Sequence, residues 1–192
     1  MKIILLDGHP RAESLSAALS DAYSRGAKSG GHEIKILAPR NLEFSPVLRG
    51  GYNNRDPLEP DLVEAQKLIE WCEHLVVIHP VWWGQMPAEL KGFFDRTFLP
   101  GWAFKFHAGK TFWDKLLAGR SARIIQTSAV PKPLMWWWYG NCAVRSLRDS
   151  TLRFCGFNPV RVTQFGGVGG GFTQEKAAPW LAKCERLGRA GR

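Results

Sequence analysis

No run in this sequence approaches the roughly 20 consecutive apolar residues that a membrane-spanning helix requires. The chain opens directly on a strand-like segment, Lys2 to Leu6, so neither a membrane span nor a signal peptide is expected. Cysteine is sparse: Cys72, Cys142, Cys155 and Cys184 are widely spaced and form no C-x-x-C pair, which fits buried free thiols in a reducing cytoplasm better than a disulfide framework. There is no G-x-x-x-x-G-K-S/T and no G-x-G-x-x-G, which weakens the nucleoside triphosphate and dinucleotide readings. Internal repeats and low-complexity segments are also missing. Acidic residues are outnumbered, with 17 Asp and Glu against 26 Lys and Arg and a formal charge of +9. That balance admits nucleic acid, an anionic membrane or an anionic small molecule as partner, and charge alone does not choose among them.

What is present is the composition of an ordinary globular protein, 45% hydrophobic and 22% charged over 192 residues, enough for one domain over 1–192 with an elaborated loop or tail. Short apolar or β-branched runs predict strands at Lys2 to Leu6, Glu33 to Leu37, Leu75 to Ile78, Ser121 to Gln126 and Val160 to Phe165. Between them, apolar residues at helical spacing predict a helix from about Leu15 to Gly30, capped by Ser14 or Ser16, and another from Pro60 or Asp61 to Cys72. Asp61 and Glu64 suggest a capping box for the second. Further helices are predicted over Ala88 to Phe98, Asn141 to Cys155 and Thr173 to Leu187. Pro39 to Pro60, with Gly50, Gly51, Asn53 and Asn54, has no regular period and predicts a long surface excursion.

Strands alternating with helices imply a doubly wound α/β fold, a five-stranded parallel sheet covered on both faces. Ligands in such sheets bind beyond the strand C-termini at the switch point, which for strand order 2-1-3-4-5 lies between strands one and three. The two loops concerned are Gly8 to Ser16 and His79 to Pro87. In the first, Gly8 permits a sharp turn, and Ser14 to Ser16 offer hydroxyls and free N–H groups at a helix start, where the macrodipole favours an anion. A serine there is equally a plain cap. In the second loop, Trp82 and Trp83 follow a buried strand directly, and an aromatic wall beside open backbone groups suits a planar heteroaromatic ring. The bland alternative is that one of the two indoles only packs against the helix.

Four stretches carry a resemblance to a known family: Gly8-His9-Pro10 with Ser14-Leu15-Ser16; Pro80-Val81-Trp82-Trp83 through Met86 to Arg96; Gly101-Trp102-Ala103-Phe104; and Phe154-Cys155-Gly156-Phe157. In this order they resemble the flavodoxin-like NAD(P)H:quinone oxidoreductase (diaphorase) family, which includes flavoprotein ancillary subunits of potassium-efflux systems. The resemblance implies a flavodoxin-like sheet of order 2-1-3-4-5 and two-electron ping-pong hydride transfer from NAD(P)H through a flavin to a quinone or similar small acceptor. On matching positions it implies His9, Ser14, Leu15 and Ser16 for the flavin phosphate. Pro80, Val81, Trp82, Trp83 and Gly84 are implied for the ring, and Phe104 and Phe106 for the substrate. After the fourth strand the family commonly has Thr-Thr-Gly-Gly. Here Thr127 and Ser128 take the flavin-edge positions, and the run departs at Ala129-Val130-Pro131-Lys132-Pro133. The family's Tyr and His that assist hydride transfer have no clean match, and Tyr139 is the candidate.

FMN is favoured over FAD because the chain is short and no adenine pocket is identifiable in the sequence, and a homodimer with each site completed at the interface is implied by the resemblance. Trp136, Trp137, Trp138 and Tyr139 form a non-periodic aromatic cluster, read as an active-site lid, a dimer contact or, less favoured, a membrane-surface anchor. A regulatory flavoprotein docked on a membrane transport system is the competing function. No metal site is expected, since Cys72, His74 and His79 sit at a helix end and a strand end without a further partner. No nucleic-acid motif accompanies the basic tail around Lys183, Arg186 and Arg189.

Overall fold

The computed structural model describes residues 1–52 and 56–192, so Asn53 and Asn54 lie outside the described residues. Strands β1 (Lys2–Asp7), β2 (Glu33–Leu37), β3 (His74–Pro80), β4 (Ser121–Ser128) and β5 (Val160–Gly166) form one parallel sheet of order β2-β1-β3-β4-β5. Alternation along the strands sends two sets of side chains to two cores. Ile3, Leu5, Val76, Ile78, Ile125 and Phe165 pack beneath helices α1 (Leu15–Ser29) and α6 (Gln174–Arg189). Ile4, Leu6, Leu75, Val77, Ala122 and Ile124 meet α2 (Pro60–Trp71) and α3 (Ala88–Thr97) on the other face. β3 is buried at every position, as expected of a central parallel strand covered on both sides.

The Ser14 side chain caps α1 by accepting the Ala17 N–H at 3.1 Å. The expected capping box of α2 does not form. Its cap residue is Glu59; the Asp61 carboxylate instead accepts the Glu43 N–H at 2.7 Å, and Glu64 faces solvent beside Lys67. Asp61 is drawn away because the excursion before α2 runs back across it and supplies a competing donor, while Glu64 pairs with Lys67 one turn on. That excursion begins with a 3-10 turn at Pro39–Asn41. The Asn141 to Cys155 segment is helical, as predicted, but it holds α5 (Cys142–Leu147) and then a π-helical turn over Arg148–Arg153. Two elements escaped prediction: a short antiparallel pairing of Phe104–Lys105 with Asp114–Lys115, and helix α4 (Lys132–Trp137), which contains Trp136 and Trp137 of the aromatic cluster.

Candidate flavin site at the switch point

β1 and β3 end side by side, and the loops leaving them meet. Gly8 sits where the chain must pass closely under α3: a Cβ there would collide with the Leu90 side chain and lie 3.2 Å from the His79 Cβ. The turn beyond it is held by Asp7, whose buried carboxylate pairs with Arg40 at 2.8 Å, while the same guanidinium nitrogen reaches the His9 carbonyl at 2.9 Å. Neither Asp7 nor Arg40 was marked as a site residue by the sequence, although Asp7 ends the first apolar run at the usual place for one. Burial and, next, the Arg11 charge push the His9 pKa down. His9 Nδ1 accepts the Arg11 N–H at 2.9 Å, so the neutral ring keeps Nε2–H as its outward donor.

The first loop delivers what an anion needs. Ser16 is 1% exposed and its hydroxyl has no protein partner. It lies in the first turn of α1, where the Leu15 and Ser16 N–H groups precede the first intrahelical bonds. An orphaned buried hydroxyl at a helix start fits a phosphate that completes its hydrogen bonding.

The second loop makes a tight turn, with Trp82 and Gln85 exchanging backbone bonds of 2.9 Å in each direction. Trp83 and Gly84 hold its centre at φ 51 and 73, the left-handed region that two-residue turns demand and that a tryptophan adopts at a cost. Trp82 packs edge-on against His9 at 5.6 Å, tying the two loops together, whereas Trp83 stands fully in solvent at 102% exposure. Trp82, itself 46% exposed, therefore carries the contact between the two loops. The turn is fixed to the neighbouring strand by the Val81 N–H to the Thr127 carbonyl at 2.7 Å, and to α5 by Cys142 Sγ on the Gly84 carbonyl at 3.1 Å.

A cavity of about 490 Å³ opens over this turn, lined by Val81 to Gly84 on one side and by Ser128, Val130, Met135, Tyr139 and Cys142 on the other. The structure thus brings the ring candidates Val81, Trp82, Trp83 and Gly84 together with Ser128 and Tyr139. Pro80 and Thr127 are buried behind them in the strand ends. Ser14 and Leu15 border a second cleft, of about 540 Å³, with Ala18, Phe172, Ala177 and Leu181. Phe104 and Phe106 are placed elsewhere: they line a third cavity of about 370 Å³ with Phe94, Phe98 and Phe154, which shares no lining residue with the ring pocket. Met135 and Cys142 were missed as pocket residues because an irregular aromatic segment gives no period from which to place its walls.

A doubly wound sheet with an unpartnered buried hydroxyl at the helix start after its first strand and an open cavity over the turn after its third belongs to the class of open α/β folds whose ligand sites lie at the switch point. The model of the family described as having a flavodoxin-like fold matches residues 1–186, and the chain belongs to that family. It is 32% identical over 135 residues to an uncharacterized NAD(P)H oxidoreductase, YcaK, of Escherichia coli, covering 65% of this chain and 68% of that one. It is 28% identical over 214 residues to the ribosyldihydronicotinamide dehydrogenase [quinone] of Mus musculus, covering 97% and 90% respectively. The solved structure of Smu.1420 from Streptococcus mutans superposes with a TM-score of 0.85 at 28% identity, covering 99% of this chain and all of that one. Across three of the curated relatives it matches, the chain spans 57–69% of their length. Among the described residues, no helix is long and apolar enough to cross a membrane.

Proposed function

We propose that this chain is a flavin-dependent NAD(P)H oxidoreductase that reduces a quinone or a similar small planar acceptor by two-electron ping-pong turnover. The observation that carries this is the joining of the two loops: the orphaned Ser16 hydroxyl at the start of α1, and the ring pocket walled by the Trp82–Trp83 turn and Tyr139. The redox chemistry is the flavin's, two electrons taken up as a hydride from NAD(P)H and given to the acceptor. The chain's own residues bind and orient. Ser14 to Ser16 hold phosphate, the Val81 to Gly84 turn meets the ring edge with backbone groups, and Trp83 and Tyr139 flank the space that nicotinamide and acceptor occupy in turn. FMN is the flavin that the phosphate site and ring pocket accommodate by themselves. The cleft at Leu15, Ala18 and Phe172 is the place an adenine would take were the released flavin FAD.

We also assign a homodimer. Phe106 is 59% exposed and lines a cavity that shares no residue with the ring pocket of its own chain, so a second copy is the means by which it would cover a substrate. Four free cysteines, three of them buried, suit a cytoplasmic location.

Flavin titration of Ser16→Ala tests the cradle. With a charge-assisted hydrogen bond lost, flavin affinity is expected to fall about tenfold or more, while the apo-protein keeps or gains stability because an unsatisfied buried hydroxyl is removed. Unchanged affinity refutes the phosphate assignment, and absence of micromolar flavin binding by the parent protein refutes the function.

Trp83→Ala tests the ring pocket. Its fully exposed indole contributes nothing to the packing of the free protein, so folding should be unaffected. Stacking on the order of 1 kcal/mol beyond the lost area disappears, and in ping-pong turnover both half-reactions should slow together because the two substrates share one pocket. Stopped-flow reduction and reoxidation that both keep the parent rates would remove Trp83 from the site.

A further inference from the structure

Three polar side chains stand in a row where apolar ones would satisfy the core. His79, Gln126 and Gln164 are register partners on the adjacent strands β3, β4 and β5, all on the face covered by α3 and α5, at the C-terminal ends that carry the ring pocket. His79 Nδ1 lies 2.8 Å from the Pro80 carbonyl, and His79 Nε2 lies 3.1 Å from the Gln126 amide nitrogen. Gln126 Oε1 accepts from Gln164 Nε2 at 3.5 Å, and the same nitrogen donates to Asn141 Oδ1 at 2.8 Å. Gln164 Oε1 accepts the Trp136 indole N–H at 3.2 Å.

The direction of this chain is fixed at both ends. A carbonyl only accepts, so His79 carries its proton on Nδ1 and offers a lone pair at Nε2, which obliges Gln126 to present its NH₂. An indole N–H only donates, so Gln164 must turn its oxygen to Trp136 and its NH₂ toward Asn141 and Gln126. The two ends demand the same polarity, and every intervening group obeys it. Burial pushes the His79 pKa down to about 4, which keeps the ring neutral and the polarity constant near neutral pH.

The ends of the row adjoin the two walls of the ring pocket without lining it. Pro80 leads into the Trp82–Trp83 turn, and Trp136 sits between Met135 and Tyr139. Asn141, at φ 51 between α4 and α5, is a buried non-glycine residue in a left-handed conformation. It is held there by the Gln164 amide and by its own N–H on the Met135 carbonyl at 2.8 Å. Displacing the α4 wall would break the Trp136 and Asn141 contacts at once.

We infer that His79, Gln126 and Gln164 form a directional hydrogen-bond relay that sets the Trp136–Tyr139 wall against the Pro80–Gly84 loop. Gln126 and Gln164 are then positioning residues that tune how tightly the ring pocket grips its acceptor. The inference rests on the reading of that pocket as the flavin and acceptor site.

Gln164→Glu tests it with almost no change of shape. The carboxylate still accepts from Trp136 but has no N–H to give. Gln126 is then satisfied by turning its amide, its oxygen faces His79 Nε2, and the ring proton moves from Nδ1 to Nε2, at the cost of the bond to the Pro80 carbonyl and of the Gln164 donor to Asn141 Oδ1. The His79 ring ¹⁵N spectrum of the apo-protein is expected to switch tautomer, two side chains from the substitution. In the flavin-loaded enzyme the acceptor KM is expected to rise about fivefold to tenfold, the equivalent of one net hydrogen bond, with kcat and flavin content changed less than about twofold. A retained Nδ1–H tautomer, or an unchanged KM in a variant that does switch, overturns the relay.

Should Gln164→Glu fail to fold, Trp136→Phe removes the donor at the exposed end of the row, where Trp136 is 57% accessible. A rise in KM with flavin content retained supports the relay, and an unchanged KM overturns it. A parent protein that binds no flavin would refute the pocket's function instead, and the apo-protein tautomer would still report on the relay.

Discussion

Replacing Arg96 by leucine is expected to lower the unfolding free energy by about 3–5 kcal/mol, the range for removing one partner of a buried ionic network. Arg96 is 2% exposed and projects from α3 into the excursion before α2. One guanidinium nitrogen donates to the Ser45 carbonyl at 2.7 Å and to Glu59 Oε1 at 3.1 Å, and the other to Glu59 Oε2 at 2.7 Å and the Pro57 carbonyl at 3.4 Å. Burial draws the Glu59 carboxyl upward, but the Ser45 N–H and this guanidinium more than offset it and hold its pKa low. Leucine would leave the Ser45 and Pro57 carbonyls and the half-buried Glu59 carboxylate without this donor. Against a typical total stability of about 5–15 kcal/mol, such a loss is large. Glu59→Gln should cost less, because an amide oxygen still accepts from Arg96. Urea unfolding of both variants measures this, and a drop below about 1 kcal/mol for Arg96→Leu would show that the excursion is held by something else.

Arg96 also marks where the sequence stopped being legible. It stood in view within Phe94-Asp95-Arg96, yet nothing in the spacing of a helix says that a charged residue turns inward to bind the backbone of a segment 39 to 51 positions earlier. The sheet was readable for the opposite reason. Its inner strands β1, β3 and β4 are buried on both faces and appear as largely apolar runs, the edge strands β2 and β5 alternate, and strand–helix alternation leaves few topologies open. The two site loops followed from that topology, because a switch point is a property of strand order. The fine structure of the site did not. The αL conformation of Trp83 contradicts local preference and is held by the turn between Trp82 and Gln85, and that of Asn141, tolerable for an asparagine, is fixed by the amide of Gln164. The substrate positions fared differently again: Phe104 and Phe106 carry the family's pattern, but their place on a separate cavity depends on how two short strands fold over α3 and α5, which no local pattern encodes.

Acid is expected to destabilise the protein well above the carboxylate range, and two histidines are the reason. His79 is fully buried, with a pKa pushed down to about 4 by burial, partly countered by its bond to the Pro80 carbonyl. His74 is likewise pushed to about 4, by burial first and then by the charges of Arg123 and Arg161; its Nδ1 bonds Ser121 Oγ at 2.7 Å and its Nε2 has no protein partner. In the unfolded chain both return to about 6.5. Between pH 6.5 and 4 the unfolded state therefore binds protons that the folded state refuses, and stability falls as pH falls through that window. From pH 7 to pH 5 each histidine should remove about 2 kcal/mol, since one pKa unit is worth about 1.4 kcal/mol. His9, also lowered, acts in the same direction. Urea unfolding of the apo-protein at the two pH values gives the total. His74→Asn separates the share of one residue, because asparagine can keep the bond to Ser121 without titrating. The variant should start less stable at pH 7 but lose about 2 kcal/mol less on going to pH 5. An equal loss in parent and variant would show that His74 titrates normally in the folded protein, and that the acid sensitivity arises elsewhere.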